Sequence, residues 1–183
     1  GFAGNRLARD AEHRDAHTLA GALAHSQARL HLFAGAKLLF DKGERQTSLF
    51  SMEQAARFGP DMADAVLLGM DEEGPRLAAR IELEGEPPEP FRLYDLRGVL
   101  YSSGIGEADA GAIAQAASLL HWHTMNRHCG RCGTRSTPSQ AGYRRDCPHC
   151  KSQIFPRTDP VVIMLTVHDD RCLLGRSPHF PPG

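Results

Sequence analysis

The residues best placed to do chemistry are four cysteines arranged in two pairs. Cys129-Gly130-Arg131-Cys132 is followed by fourteen residues and then by Cys147-Pro148-His149-Cys150. A Cys-x-x-Cys turn brings two thiolates to one point, and a second turn completes a tetrahedral S4 site of the kind Zn(II) favours. Gly130, Gly133 and Pro148 supply the backbone freedom and rigidity that such knuckles need. The loop between the pairs is just short of the usual fifteen-to-twenty window. The spacing therefore predicts a zinc ribbon with Cys129, Cys132, Cys147 and Cys150 as ligands. Two disulfides, or four thiols in a core, are the competing readings.

A charge asymmetry surrounds this motif. Residues 1–126 carry twelve Lys/Arg against eighteen Asp/Glu, whereas residues 127–157 carry seven against one, so −6 faces +6. A basic knuckle module suits a diphosphate or a nucleic acid. The alternative is that its arginines offset the formally −2 metal site and otherwise lie solvated. His121, His123, His128 and His149 cluster near the cysteines, but four thiolates already fill a structural site. We read these histidines as surface or packing residues. Cys172 stands apart from the pairs and reads as a small buried hydrophobe.

The elements that position the cysteines are legible in outline. With 183 residues, 41% hydrophobic and 23% charged, the composition is that of a soluble globular protein of one or two domains. No apolar run spans a membrane and no secretory leader is visible, and zinc-spaced cysteines suit a reducing compartment, so a cytoplasmic protein is expected. The pattern predicts a short helix over 15–25 and a hairpin from Leu30 and Leu32 through Leu38 to Phe40. A short helix over 47–58 and a buried strand at 66–69 follow. Leu77, Ala79, Ile81 and Leu83 sit at period two, which predicts a half-buried strand. A short element is expected over 91–96. A helical period over 107–126, with Ile113, Ala116, Ala117, Leu120 and Trp122 to Thr124 on one side, predicts a helix joining the first domain rigidly to the knuckles. Beyond the knuckles, Val161 to Val167 reads as a strand buried on both faces, and 171–176 as its returning partner. That hairpin looks like the start of a further domain.

Taken together, several stretches resemble the NADH pyrophosphatase family of Nudix hydrolases. They are Leu120-His121-Trp122-His123, the two knuckles, Ala141-Gly142-Tyr143, Phe155-Pro156-Arg157-Thr158-Asp159-Pro160-Val161-Val162-Ile163 and residues 170–176. Phe2-Ala3-Gly4-Asn5 and Asp95-Leu96-Arg97 match more loosely. The resemblance implies an α+β chain in three parts. A degenerate Nudix-like amino-terminal domain with its linking helix would occupy 1–126, and a rubredoxin-like zinc ribbon 127–157. The truncated start of a catalytic Nudix α/β/α domain would occupy 158–183. It implies hydrolysis of the NAD(H) diphosphate to nicotinamide mononucleotide and AMP, removal of NAD caps from RNA by some members, a Mg(II) or Mn(II) requirement, and a homodimer. Phe155 matches an aromatic that stacks on the substrate's base, Arg97 a basic residue that contacts substrate, and Tyr143 lies beside a contact position. The Nudix box, Gly-x5-Glu-x7-Arg-Glu-x-x-Glu-Glu-x-Gly, is absent from these residues, so the chain alone is expected to be catalytically inactive. The rival expectation is a non-enzymatic ribbon that binds nucleic acid or mediates dimerisation.

Overall fold

The computed structural model describes residues 2–101, 105–175, 178 and 179. Its centre is a six-stranded mixed sheet. β1 (Arg29–Ala34) and β2 (Lys37–Asp41) form the expected hairpin, with Phe33 opposite Leu38. β4 (Asp61–Asp71) and β5 (Gly74–Ile81) form a second antiparallel pair, and β5 runs parallel to β1 from Arg29–Arg76 to Ala34–Ile81. β6 (Phe91–Tyr94) closes the edge beside β2, giving the order β4-β5-β1-β2-β6. The remaining strand, β3 (Leu49–Ser51), pairs with the first half of β1. The sequence pattern predicts a short helix over 47–58. Instead Ser51 ends β3 and caps α2 (Met52–Ala56): its Oγ accepts from the Gln54 N–H while Gln54 Oε1 accepts from the Ser51 N–H. That reciprocal cap fixes the helix start and leaves the preceding residues free to pair.

Apolar side chains cover both faces of this sheet. Leu30, Leu32, Leu39, Phe50, Leu77, Ala79 and Ile81 face α1 (Thr18–Ala24) and α2. Phe33, Leu38, Val66, Leu68 and Ala78 face α4 (Glu107–Met125), which contributes Ile113, Ala116, Leu119 and Leu120, and α3 (Leu96–Tyr101) adds Val99. α1 and α4 match their predicted positions within a few residues. β5 differs from its expectation: it is buried on both faces, and Leu83 lies beyond its end. The period-two signal was real, but the intervening Arg76, Ala78 and Arg80 are also covered. Arg76 pairs with Asp71 at 2.8 Å and Glu73 at 2.6 Å, and Arg80 caps α4 through the Leu120 carbonyl and the Thr124 hydroxyl. Charged residues on a buried face are tolerated when paired in this way.

After α4 the chain enters a three-stranded meander of β7 (Thr137–Ser139), β8 (Arg144–Asp146) and β9 (Gln153–Ile154). Its tip is pressed into the main sheet. Gln140, Ala141 and Gly142 all have left-handed φ, at 50°, 53° and 95°. The resulting tight turn packs against α1 and β4 and buries Ala141 in the core on that face of the sheet. A Cβ on Gly142 would come within 2.4 Å of Val66 on β4, so only glycine allows this approach. The Ala-Gly-Tyr stretch singled out in the sequence is thus a docking turn.

The segment after β9 departs most from expectation. Val161 to Leu165 are 60–101% exposed, and only β10 (Val167–His168) and β11 (Arg171–Cys172) pair. A strand buried on both faces needs neighbouring strands and covering layers, and among the described residues this run has neither. Cys172 is exposed for the same reason, contrary to the buried reading. Arg176, expected at the end of the returning strand, and 180–183 lie outside the described residues.

Candidate metal centre and nucleotide-sized cavity

The two knuckles are built alike. In each, the residue after the second cysteine is left-handed and its N–H donates back to the first cysteine's carbonyl: Gly133 (φ 74°) to Cys129 at 2.8 Å, and Lys151 (φ 61°) to Cys147 at 3.1 Å. In each, the first cysteine's N–H donates to the carbonyl five residues on, Cys129 to Thr134 and Cys147 to Ser152. The result is four sulfurs within 4.8 Å of one another, with Cys129–Cys150 at 3.6 Å and Cys132–Cys147 at 3.5 Å. A disulfide would require about 2.05 Å. A tetrahedral ion with Zn–S of about 2.3 Å spaces its sulfurs about 3.8 Å apart. The donor set therefore fits Zn(II), and the disulfide and core-thiol readings do not survive the geometry. The Thr134 hydroxyl and N–H, and then His149, stabilise the Cys132 thiolate and pull that thiol down to about 5. The Ser152 N–H likewise holds the Cys150 thiol below its usual value. Cys147 moves the other way, up to about 11: the Cys150 N–H favours its thiolate, but burial and the neighbouring Cys132 sulfur outweigh it, and a bound cation is what would bring all four sulfurs to the thiolate together.

A buried polar network holds this ribbon to the sheet. Arg145 on β8 is 1% exposed, which removes it from both the solvated and the ligand-facing roles expected of the basic module. Its NH1 donates to Asp64 Oδ1 on β4 at 2.9 Å and to His123 Nδ1 on α4 at 2.7 Å. Its Nε and NH2 donate to the Ser136 hydroxyl and carbonyl. A guanidinium can only donate, so His123 Nδ1 must accept. Nε2 therefore carries the proton and donates to the Gly142 carbonyl at 2.8 Å. Burial lowers the His123 pKa and keeps this neutral tautomer. The packing reading of His123 is correct, while His121, His128 and His149 are exposed.

Docking of the ribbon creates a cavity of about 500 Å³ between α4, the docking turn and the ribbon's exit. Trp122, Tyr143 and Phe155 supply aromatic walls, and Arg9 and Arg157 lie at its edge. Phe155 is 54% exposed. Tyr143 is held from behind: Gln115 donates to its hydroxyl, and the Arg14 guanidinium stacks 3.7 Å over its ring. Of the three residues chosen from sequence for substrate contact, the structure brings together Phe155 and Tyr143. Arg97 stands exposed on α3 and does not line this cavity. A cleft of about 470 Å³ between the β1–β2 turn and α4 contains none of the three. Sequence reasoning missed Arg9 and gave Trp122 no role beyond its place in the helix. An unpatterned amino-terminal segment offers no period by which Arg9 could be found.

Two family descriptions match this chain in succession. The NADH pyrophosphatase-like rudimentary NUDIX domain matches residues 27–122, and the NADH pyrophosphatase zinc ribbon domain matches residues 126–155. The chain belongs to the NADH pyrophosphatase family. The first match spans the mixed sheet and nearly all of α4, and the second holds all four cysteines. Among family relatives, the NAD-capped RNA hydrolase NUDT12 of Macaca fascicularis is 45% identical over 87 residues, 42% of this chain and 19% of the relative. The NAD-capped RNA hydrolase NudC of Pseudomonas aeruginosa is 36% identical over 104 residues, 56% of this chain and 34% of the relative. The NAD(P)H pyrophosphatase NUDT13, mitochondrial, of Mus musculus is 34% identical over 102 residues, 56% of this chain and 28% of the relative. The chain thus spans well under half the length of these relatives.

Proposed function

We propose that this chain is the sheet-and-ribbon portion of an enzyme that hydrolyses the diphosphate of NAD(H), yielding nicotinamide mononucleotide and AMP, and that also removes NAD caps from RNA. The observation that carries this reading is the succession of rudimentary NUDIX and zinc ribbon matches, among relatives named for those substrates. The three-part division at 126 and 157 belongs to the same proposal. Phe155 and Tyr143 are assigned to the flat ring of the substrate, because two aromatic faces on one cavity suit a planar base. Arg97, although outside this cavity, is assigned a substrate contact because a guanidinium suits a phosphate.

Zinc has a structural part: Cys129, Cys132, Cys147 and Cys150 would hold it, and it would fix the ribbon whose docking turn leads to Tyr143 and whose exit carries Phe155. The catalytic ions are proposed to be Mg(II) or Mn(II), which polarise a diphosphate. Among the described residues the four cysteines are the one group of three or more His, Cys, Asp or Glu side chains close enough to hold a metal. A homodimer and a cytoplasmic location complete the proposal. No described helix is long and apolar enough to cross a membrane. Sedimentation and cell fractionation test these two points.

Binding of nucleic acid by the ribbon alone is less well supported. Of its seven basic residues, Arg145 is buried, Arg144 and Arg157 pair with Asp146 and Asp159 at 2.8 Å, and Arg127 leans toward Asp64 at 3.8 Å. That leaves Arg131, Arg135 and Lys151, too few for a backbone-tracking surface. The deciding experiment is incubation of the whole protein with NADH and Mg(II) or Mn(II), with products separated chromatographically. Equal amounts of reduced nicotinamide mononucleotide and AMP are expected. Intact NADH, or release of free nicotinamide, would overturn the reading.

A further inference from the structure

The aromatic cavity has two guanidinium groups at its edge, and they are not equivalent. Arg157 is committed to Asp159 at 2.8 Å. Arg9 is exposed, and its guanidinium has no ion-pair partner among the described residues. Its backbone, by contrast, is firmly held. Ala8 exchanges hydrogen bonds with Met70 at the sheet edge, at 2.8 and 2.9 Å. The Arg9 carbonyl accepts from Arg14 Nε at 3.1 Å and from NH2 at 2.6 Å. The same Arg14 guanidinium is the one stacked on Tyr143, and Arg14 is only 9% exposed. One buried side chain therefore ties the segment carrying Arg9 to the ring that walls the cavity. Residue 9 lies outside both matched regions, 27–122 and 126–155, so neither family description assigns it a part.

We propose that Arg9, held over the cavity by Arg14, recognises the phosphate of a nucleotide whose base lies against Trp122, Tyr143 and Phe155. The ligand class is a nucleoside 5′-monophosphate unit, free or as half of a dinucleotide. The chemistry is complementary: three π faces take a planar base, and an unpaired guanidinium takes a phosphate in a forked, charge-assisted contact. A fixed backbone beneath a free side chain lowers the ordering cost of that contact. Arg14 acts as a positioning residue, since its Nε and NH2 donate to the Arg9 carbonyl and its face lies on Tyr143, while its NH1 is buried without a partner among the described residues. The inference rests on the nucleotide-binding reading above but assigns the phosphate contact to a segment outside the matched regions.

Trp122 is the only tryptophan of the chain and lines the cavity, so its emission reports on this site. The test is titration of the zinc-loaded 183-residue chain with AMP and with adenosine. A saturable change in emission is expected for both, with AMP binding about tenfold tighter, the gain of one charge-assisted contact. Arg9→Ala should bring AMP down to the affinity of adenosine and leave adenosine unchanged. Arg14→Met should reduce the same preference, whereas Phe155→Ala should weaken both ligands alike. If Arg9→Ala preserves the AMP preference while Phe155→Ala weakens binding, the cavity binds nucleotide but Arg9 does not read the phosphate, and the inference fails. If neither ligand changes the emission, the subsite itself is refuted, while NADH cleavage by the whole protein remains a separate result.

Discussion

At the scale of single residues, Arg145 carries more of the structure than its place in a basic module suggests. It joins β4, α4 and the ribbon through Asp64, His123 and Ser136. Removing one partner of such a network leaves a buried charge uncompensated, so Arg145→Ala is expected to cost about 3–5 kcal/mol in urea unfolding. A surface arginine would cost almost nothing. Lys151 offers the opposite case. It occupies a left-handed position where its counterpart is Gly133, and the Lys151→Gly replacement should be neutral or stabilising by about 0.5 kcal/mol in the same assay. The buried histidines set a pH dependence. Burial, opposed by the Ser48 carbonyl and aided by Arg76, lowers His31 to about 4, and burial lowers His123 as well. Both are neutral in the fold, and the unfolded chain binds their protons below about 6.5. Stability from these rings is therefore full above pH 6.5 and falls as pH drops toward 4. His31 alone accounts for about 3 kcal/mol, on 1.36 kcal/mol per pH unit. Unfolding midpoints of the native chain and of His31→Gln, compared at pH 7 and pH 4.5, should show a smaller acid loss in the variant.

At the scale of elements, legibility followed the range of the determining interaction. The knuckles could be read directly, because ligand spacing and turn residues are local. So could α4 and the β1–β2 hairpin, whose apolar periods are contained within each element. Arg145 could not, because Asp64 lies 81 residues away and its charge in a basic stretch looks like surface. β5 read as half-buried because the pairing of Arg76 and the capping by Arg80 do not show in a period. Val161 to Val167 failed for the converse reason: an apolar run states a capacity for burial, and the burying layers must come from elsewhere. The cavity was half legible, through Phe155 and Tyr143, while Arg9 had no pattern to mark it. Zinc is the element-scale prediction. Because the docking turn 140–142 grows from the ribbon into the main core, Cys147→Ser should release the ion and lower the stability of the whole chain by several kcal/mol. Zinc content by mass spectrometry and thermal unfolding by circular dichroism check this together. A ribbon that lost zinc with no change in the main transition would show the two to be independent.

At the scale of the whole molecule, the sheet, the linking helix and the ribbon make one support for a cavity that none of them forms alone. α4 gives Trp122, the docking turn gives Tyr143, the ribbon exit gives Phe155, and the amino-terminal segment gives Arg9. The family match ties this arrangement to proteins named for NAD(P)H and for NAD-capped RNA, and the proposed occupant of the cavity is the substrate's flat ring. The most direct measurement is steady-state kinetics of the whole protein on NADH, native against Phe155→Ala. Loss of one base-stacking face should raise KM about tenfold and leave kcat within about threefold, since the ring is remote from the diphosphate. An unchanged KM in a folded, zinc-loaded variant would contradict the claim.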